Sequence, residues 1–318
     1  MNSNVNLKYI LLGGDGYYGR NFQYYLSQKN ISFIVIDRNE PDDFYSIKNN
    51  HLIKYIKHDL NNEIDIHLLP INEYKSEIII VNFAAISFVD YSILHPNETI
   101  KNNLNCCING YKLFLNLNIK SKYIYISTDE VNVNKPNNEL SPYVISKRKC
   151  ESFLKGIFNL ESNIKDIFIV RPVNLMDIIK PGIKGLKQKN KCLLNKIVDI
   201  INVNNKNEKV QIHGTGEQKR MFMTMLNACD VLFNDYKYLN ENENIIDVVN
   251  IPDKRTSDLK IKSIVEYLKD IYNFEIEYIN DPRGIYQDKT YLNSENKLNE
   301  NMKNDLEVIE NVIDRLLI

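Results

Sequence analysis

Short runs of consecutive apolar residues alternate with segments of helical spacing through the first half of the chain. This alternation predicts an α/β fold on a parallel sheet, because strands covered on both faces read as continuous apolar runs. The runs fall at residues 8–12, 32–36, 53–56, 78–83 and 123–126, with a further strand over 166–170. Helical spacing follows the first run over 21–27, and Ser141-Pro142 reads as the entry to a helix ending near Asn159. In the second half, helices mix with short strands. The pattern predicts a helix over 192–203, a polar loop over 204–208, and a helix within 254–272 that starts near Thr256 or Ser257. A terminal amphipathic helix over 305–317 carries Leu306, Ile309, Ile313 and Leu316 on one face. No internal repeat or long flexible linker separates the halves.

In a doubly wound sheet, ligands bind beyond the carboxyl ends of the strands, so the residues that follow each run are the candidates for chemistry. After the first run comes Gly13-Gly14-Asp15-Gly16-Tyr17-Tyr18-Gly19, a G-x-x-G-x-x-G turn between strand and helix. Its glycines permit a tight turn and let backbone N–H groups approach a pyrophosphate; the plain alternative is a Gly-rich turn. The next strand ends in Asp37, about twenty residues on, where a carboxylate accepts hydrogen bonds from an adenosine ribose. That carboxylate favours NAD over NADP, with Arg38 beside it as the counter-signal. Asp59, followed by Leu60, reads equally as a contact for the adenine edge and as a helix cap. Past the fourth run, Phe83-Ala84-Ala85 allows close approach of a cofactor and Ser87 is available to a substrate, while ordinary helix-to-sheet packing explains the same small residues.

The run at 123–126 delivers Ser127-Thr128-Asp129-Glu130 to the sheet edge, and the following helix carries Tyr143, Ser146, Lys147 and Glu151. Tyr143 and Lys147 stand four apart on one helix face, where an ammonium beside a phenol lowers its pKa from about 10. A surface pair at this spacing is common by chance. Its place after a strand ending in Thr-Asp-Glu, and downstream of the glycine turn, is what favours a catalytic reading.

Composition removes several classes of function. The 318 residues, 43% hydrophobic, suffice for a sizeable core, and a net charge of -1 gives no general attraction to nucleic acid or acidic membranes. No apolar run approaches the roughly 20 residues of a membrane span, and residues 1–6 are too polar for a signal peptide. These points predict a soluble cytoplasmic protein. Cys106, Cys107, Cys150, Cys192 and Cys229 lack any C-x-x-C spacing and read as free thiols, and the five histidines are too scattered to suggest a metal site.

Taken together, the glycine turn, Asp37, Asn82-Phe83-Ala84-Ala85-Ile86-Ser87-Phe88-Val89-Asp90, Pro96 with Asn103, Ser127-Thr128-Asp129-Glu130-Val131 and Tyr143-x-x-x-Lys147 resemble the extended short-chain dehydrogenase/reductases. Within them the chain looks most like the nucleotide-sugar 4,6-dehydratases. Arg171-Pro172-Val173-Asn174 resembles that group's R-x-x-N, residues 213–220 its G-x-G-x-x-x-R element, Val249-Asn250-Ile251 its late Y-N-I strand, and residues 281–284 a scrambled D-R-P-G. Departures lie on the substrate side: Phe88 stands where the family has His, Met176-Asp177-Ile178 replaces Y-G-P, Met221-Phe222 replaces an Asp-Trp pair, and the loop between Thr128 and Tyr143 is short.

The resemblance implies a Rossmann-type doubly wound parallel sheet with a smaller, interleaved C-terminal substrate-binding region. Residues 1–172 would bind NAD; residues 173–318 would mainly bind substrate, with about 218–252 returning to the first domain. It implies catalytic Thr128, Asp129, Glu130, Tyr143 and Lys147; NAD contacts from Gly13, Gly16, Tyr17, Tyr18, Gly19, Asp37, Asp59, Leu60, Phe83, Ala84, Ala85 and Asn103 besides Tyr143 and Lys147; and substrate contacts from Ser87, Asn174, Arg220 and Asn250. Arg283 is a second diphosphate candidate, more readily a surface ion pair. A homodimer and a nucleotide-diphosphate sugar are the implied partners. In the implied reaction Tyr143 takes the C4 hydroxyl proton while hydride passes to NAD, Glu130 removes the C5 hydrogen, and Asp129 protonates the departing C6 hydroxyl. An epimerase or 4-ketoreductase needs only the hydroxyl, Tyr and Lys, so the acid pair favours dehydration. A silent NAD-binding regulatory relative is the third reading.

Overall fold

The computed structural model describes residues 7–39, 53–69, 77–117, 119, 121–133, 136–160, 167–176, 193–202, 209–234, 247–250, 258–280 and 302–317. The first half runs β1 (Leu7–Leu12), α1 (Tyr17–Gln28), β2 (Ser32–Asp37), β3 (Ile53–Lys57), β4 (Ile78–Asn82), α2 (Val89–Leu94), α3 (Pro96–Asn116), β5 (Ser121–Ile126), α4 (Pro142–Leu160) and β6 (Ile167–Arg171). It continues through β7 (Asn174–Leu175), α5 (Leu193–Asn202), β8 (Lys209–His213), β9 (Lys219–Arg220), β10 (Phe222–Met223), α6 (Met225–Phe233) and β11 (Asp247–Asn250). The last elements are β12 (Leu259–Lys260), α7 (Ile261–Tyr272), β13 (Glu275–Ile279) and α8 (Met302–Leu317).

Among the described residues, seven strands form one sheet in the order β11-β6-β5-β4-β1-β2-β3, and every pairing is parallel. The α/β doubly wound architecture follows. Strand order reverses between β1 and β4, so the loops leaving these two strands part and open a crevice at their carboxyl ends. Alternation along each strand divides the core between the two faces. Ile10, Leu12, Ile78, Ile80, Tyr123 and Tyr125 face one cluster, which side chains of α3 and α4 complete. Tyr9, Leu11, Ile79, Val81, Ile124 and Ile126 face the other, beneath residues of α1 and α6.

A third cluster joins α5, α7 and α8 to β8, with Ile197, Ile264, Leu268, Ile309 and Ile313 at its centre. The chain passes between cores within two residues, since Phe222 belongs to this third cluster and Met223 to the core beneath α1. Segments from the second half thus return to the main sheet: α6 packs on α1, and β11 pairs with β6.

Three helix starts differ from the spacing-based expectation. Helix α1 begins at Tyr17, directly on the glycine turn. Helix α7 begins at Ile261, because Leu259 and Lys260 pair antiparallel with Arg220 and Lys219. The N–H groups of Ile261 and Lys262 then donate to Gln218 O and Gly216 O, which satisfies the new helix start. Thr256 and Ser257 lie outside the described residues, as do residues 204–208 and 281–284. Helix α8 starts at Met302 and buries Leu306, Ile309 and Ile313; the side chain of Leu316 lies outside the described residues.

Close approach of β1 to β4 sets the geometry of the glycine turn. Gly13 has φ +66, and a Cβ there would lie 2.5 Å from Ala84 Cα. Both the left-handed backbone and the contact exclude a side chain. Gly13→Ala is expected to lower stability by about 2 kcal/mol or more; an unchanged denaturant midpoint would show that the turn relaxes freely.

Candidate active site

A cavity of about 890 Å³ opens at the carboxyl ends of β1, β2, β4 and β5. The glycine turn and Tyr17, Tyr18, Asp37, Asp59 and Leu60 line one end, and Phe83 to Asp90 line its middle. Thr128, Asp129, Glu130, Tyr143 and Lys147, with Pro172 to Leu175, line the other end. The strand-end rule explains the gathering, since side chains far apart in sequence share one sheet edge.

Directly beyond β5 the chain makes a 3₁₀ turn, Asp129–Asn132, capped by the Thr128 hydroxyl, which accepts the Glu130 N–H at 3.4 Å. Asp129 is buried and Glu130 half-buried. On α4, Tyr143 is pressed against this turn. Its phenol is held above the ordinary value of 10.0, first by burial and then by the negative charge of Glu130, with a smaller contribution from Asp129; a hydrogen bond with Thr128 works the other way. The acid pair therefore lies within electrostatic reach of the phenol.

Lys147 corrects an expectation. Helix spacing predicts that its ammonium lowers the phenol's pKa, yet the Tyr143 pKa is raised, and Lys147 Nζ donates to Ile126 O at 2.6 Å and stands 4.8 Å from the Tyr125 ring centroid. Burial lowers the Lys147 pKa. A buried ammonium must satisfy its donors, and the last carbonyl of β5 is within reach.

Behind the cavity wall, Glu151 ties β5, α4 and β6 together. Ser127 Oγ donates to Glu151 Oε1 at 2.6 Å, Arg171 Nε donates to the same oxygen at 2.8 Å, and Arg171 Nη2 pairs with Oε2. Arg171 Nη1 also donates to Asn132 Oδ1 at 2.6 Å, reaching the acid-bearing turn. Burial alone raises the Glu151 pKa, but hydrogen bonds from Arg171 and Ser127 and the charge of Arg171 outweigh it and hold the carboxyl below its ordinary value.

Residues 9–245 match the NAD dependent epimerase/dehydratase family. The chain belongs to that family. A dTDP-D-glucose 4,6-dehydratase of Dictyostelium discoideum is 28% identical over 264 residues, covering 71% of this chain. The chain spans about half (55%) of that relative's length. Among solved structures, a UDP-N-acetylglucosamine 4-epimerase from Methanobrevibacter ruminantium M1, in complex with UDP-N-acetylmuramic acid, has TM-score 0.73 and 19% identity over 98% of both chains. An NAD dependent NDP-hexosamine 5,6-dehydratase involved in tunicamycin biosynthesis has TM-score 0.69 and 18% identity over 98% of this chain and 97% of its own. At these identities the two structures share the fold.

The residues of this family member fit NAD. A Cβ at Gly16 would meet nothing nearer than Gly13 O at 3.5 Å, which leaves room above the turn. Helix α1 has no side-chain cap on its first turn, so its leading N–H groups suit a pyrophosphate. Asp37 accepts the N–H groups of Asp15 at 3.0 Å and Asn39 at 3.1 Å, and each carboxylate oxygen keeps a lone pair for a ribose hydroxyl. Burial raises the Asp37 pKa against the lowering effect of those bonds.

Several candidates stand elsewhere than expected for direct contact. Asn103 sits behind the cavity wall, where it accepts the Ile86 N–H at 2.7 Å and donates to Ile86 O and Ser146 Oγ. Tyr18 lines the cavity, but its hydroxyl donates to Ala228 O at 2.6 Å. Arg220 lies off the cavity wall, with Nη1 on Lys219 O at 2.7 Å, where β9 pairs with β12. Asn174 lines the cavity while its Nδ2 donates to Met221 O, and Ser87 stands exposed at the rim. Asp59 lines the cavity and accepts the Asn61 N–H at 3.0 Å within a turn; it caps no described helix, since the next helical turn, Ile66–Leu68, is capped by Asp65. The side chain of Asn250, and all of Arg283, lie outside the described residues.

Sequence reasoning missed the Asp15–Arg20 pair, whose buried side chains meet at 2.7 Å and brace the glycine turn. It also missed the role of Glu151. A signal existed: Glu151 falls on the helix face of Tyr143 and Lys147, and a carboxylate on a buried face needs a counterion. Cys106, Cys107, Cys150 and Cys229 are buried thiols; Cys192 lies outside the described residues. Among the described residues no helix is long and apolar enough to cross a membrane.

Because the Glu151 pKa is lower folded than unfolded, its stabilisation is complete above its ordinary value of 4.5 and is lost as pH falls through the folded pKa. Glu151→Gln is expected to destabilise the protein by about 3–5 kcal/mol at neutral pH. Urea titrations should show the gap from the parent protein narrowing in acid. A gap that stays constant with pH would contradict this assignment.

Proposed function

We propose that the protein is an NAD-dependent 4,6-dehydratase of a nucleotide-diphosphate hexose, releasing water to leave a 4-keto-6-deoxy sugar. The observation that carries this reading is the acid pair: Asp129 and Glu130 line the same cavity end as Thr128, Tyr143 and Lys147, close enough for their charge to act on the phenol. Proton abstraction at C4 alone needs no such pair. The 28% identity to a dTDP-D-glucose 4,6-dehydratase supports the same choice.

NAD, when bound, supplies the hydride acceptor for C4 and the donor for C6, together with a positive charge that opposes the effect of the acid pair on Tyr143. Gly13, Gly16, Gly19 and Asp37 would hold it, in the region 1–172 that we assign to the cofactor. Thr128 hydrogen-bonds the C4 oxygen while Tyr143 takes the C4 hydroxyl proton. Lys147, fixed on Ile126 O, adds a buried charge beneath the wall. A C4 ketone makes the C5 hydrogen acidic; Glu130 removes it, and Asp129 protonates the leaving C6 hydroxyl. Ser87 and Asn174, which line the cavity, would contact the sugar. The short loop leaves space for it: its Val131, Val133 and Leu140 pack on Val144 of α4, and no described residue of 131–142 lines the cavity.

The decisive experiment is mass spectrometry of the protein incubated with UDP-, dTDP-, GDP- and CDP-hexoses, beside an Asp129→Asn, Glu130→Gln variant. The expected product is lighter by one water and absent with the variant. A product of unchanged mass but altered configuration would make the protein an epimerase instead. We further propose a cytoplasmic homodimer, as the resemblance implies; light scattering that gives the 37.3 kDa monomer mass at micromolar concentration would overturn the dimer.

A further inference from the structure

The acid pair sits on a turn that is anchored through Asp129 N–H on Pro172 O at 3.1 Å but whose bonds at either end are long. Val131 N–H reaches Thr128 O at 3.4 Å, Val133 N–H reaches Glu130 O at 3.3 Å, and Glu130 N–H reaches Thr128 Oγ1 at 3.4 Å. These lengths lie beyond the usual range of N–H···O bonds, and an isolated 3₁₀ turn is marginal on its own. A catalytic carboxylate must nonetheless be held to within roughly half an ångström.

Stronger bonds come from α4. Arg148, next to Lys147, spreads its guanidinium over the outside of the turn: Nη2 donates to Val133 O at 2.6 Å, Nε to Val131 O at 3.2 Å, and Nη1 to Asn137 Oδ1 at 3.1 Å. From the opposite side, Arg171 Nη1 donates to Asn132 Oδ1 at 2.6 Å. Charge-assisted bonds of this length are roughly twice as strong as neutral ones, and the rigid fork of an arginine fixes several acceptors at once. Below the turn, Val131 and Val133 pack with Leu140 and Val144.

We propose that Arg148 is a positioning residue for the acid pair: by strapping the 129–133 turn to α4 it sets Asp129 and Glu130 in register with Tyr143 and Lys147, which the same helix carries. The proposal rests on the dehydratase reading for its kinetic consequence, but not for its structural one. Thr128, Tyr143 and Lys147 serve the oxidation at C4, whereas the acids serve the loss of water. Loosening the strap separates these stages.

The test compares the parent protein with Arg148→Ala and Arg148→Lys by turnover, by the absorbance of reduced nicotinamide on mixing with substrate, and by hydrogen exchange of the 129–133 amides. In Arg148→Ala, kcat should fall about 10- to 100-fold, the cost of a misplaced group, with KM little changed. Reduced nicotinamide should build up, since oxidation outruns elimination, and the Val131 and Val133 amides should exchange faster. Arg148→Lys, which keeps the charge and part of the donor set, should recover part of the rate. Equal loss of oxidation and elimination, or an unchanged kcat, would overturn the proposal. Failure of the parent protein to release water from any sugar would sink the dehydratase reading alone; the strap is then judged by hydrogen exchange, and amides as protected in Arg148→Ala as in the parent would refute it.

Discussion

The buried pair of Glu151 and Arg171 is the interaction on which the site depends. Taking two charges out of water costs several kcal/mol per ion, and the attraction repays this only where the remaining lone pairs and protons are also satisfied. Here they are: Ser127 donates to one carboxylate oxygen, Arg171 reaches both, and Lys155 adds a longer contact at 3.4 Å. The pair joins the last residue of β6, the middle of α4 and the residue after β5. Thr128, Asp129, Glu130, Tyr143 and Lys147 all hang from these elements or from the turn that Arg171 also holds.

The sheet supplies the other half of the design. Reversal of strand order between β1 and β4 opens the crevice, and the approach of Gly13 to Ala84 keeps its floor narrow. The Asp15–Arg20 pair stiffens the turn that roofs the cofactor end. One end of the cavity is thus built from backbone amides and small residues, suited to a dinucleotide. The opposite end is built from ionisable side chains, suited to proton transfer. The third cluster leaves the sheet's chemistry intact: none of its described core residues lines the cavity, and the run from Pro172 to Leu175 that does packs through Val173 and Leu175 on the core beneath α1.

Much of this was legible in the residues. Continuous apolar runs marked the central strands because burial on both faces leaves little room for polar alternation. The glycine turn, Asp37, Ala84 and the acid pair each stand at or just past a strand end, and strand ends share one edge, so order along the chain was enough to gather them, with Tyr143 brought in by the first turn of α4. Lys147 was harder. Its spacing from Tyr143 put both on one face, but which atom a buried ammonium meets depends on where β5 ends, and Ile126 O lies closer to hand. Asn103 and Arg220 show a similar limit: a motif reports residue type, whereas the Asn103 amide clamps Ile86 and the Arg220 guanidinium donates to Lys219 O.

Local sequence alone determined six of the seven strands, helices α1 and α4 and the set of side chains delivered to the sheet edge, because these follow from periodicity, from glycine at a left-handed turn and from strand direction. Tertiary structure decided the partners. Glu151 with Arg171, Arg148 over the 129–133 turn, and Tyr18 on Ala228 O join residues from 15 to 210 positions apart. Hydrogen bonds and ion pairs act over a few ångströms, and only the folded chain brings such groups within that range.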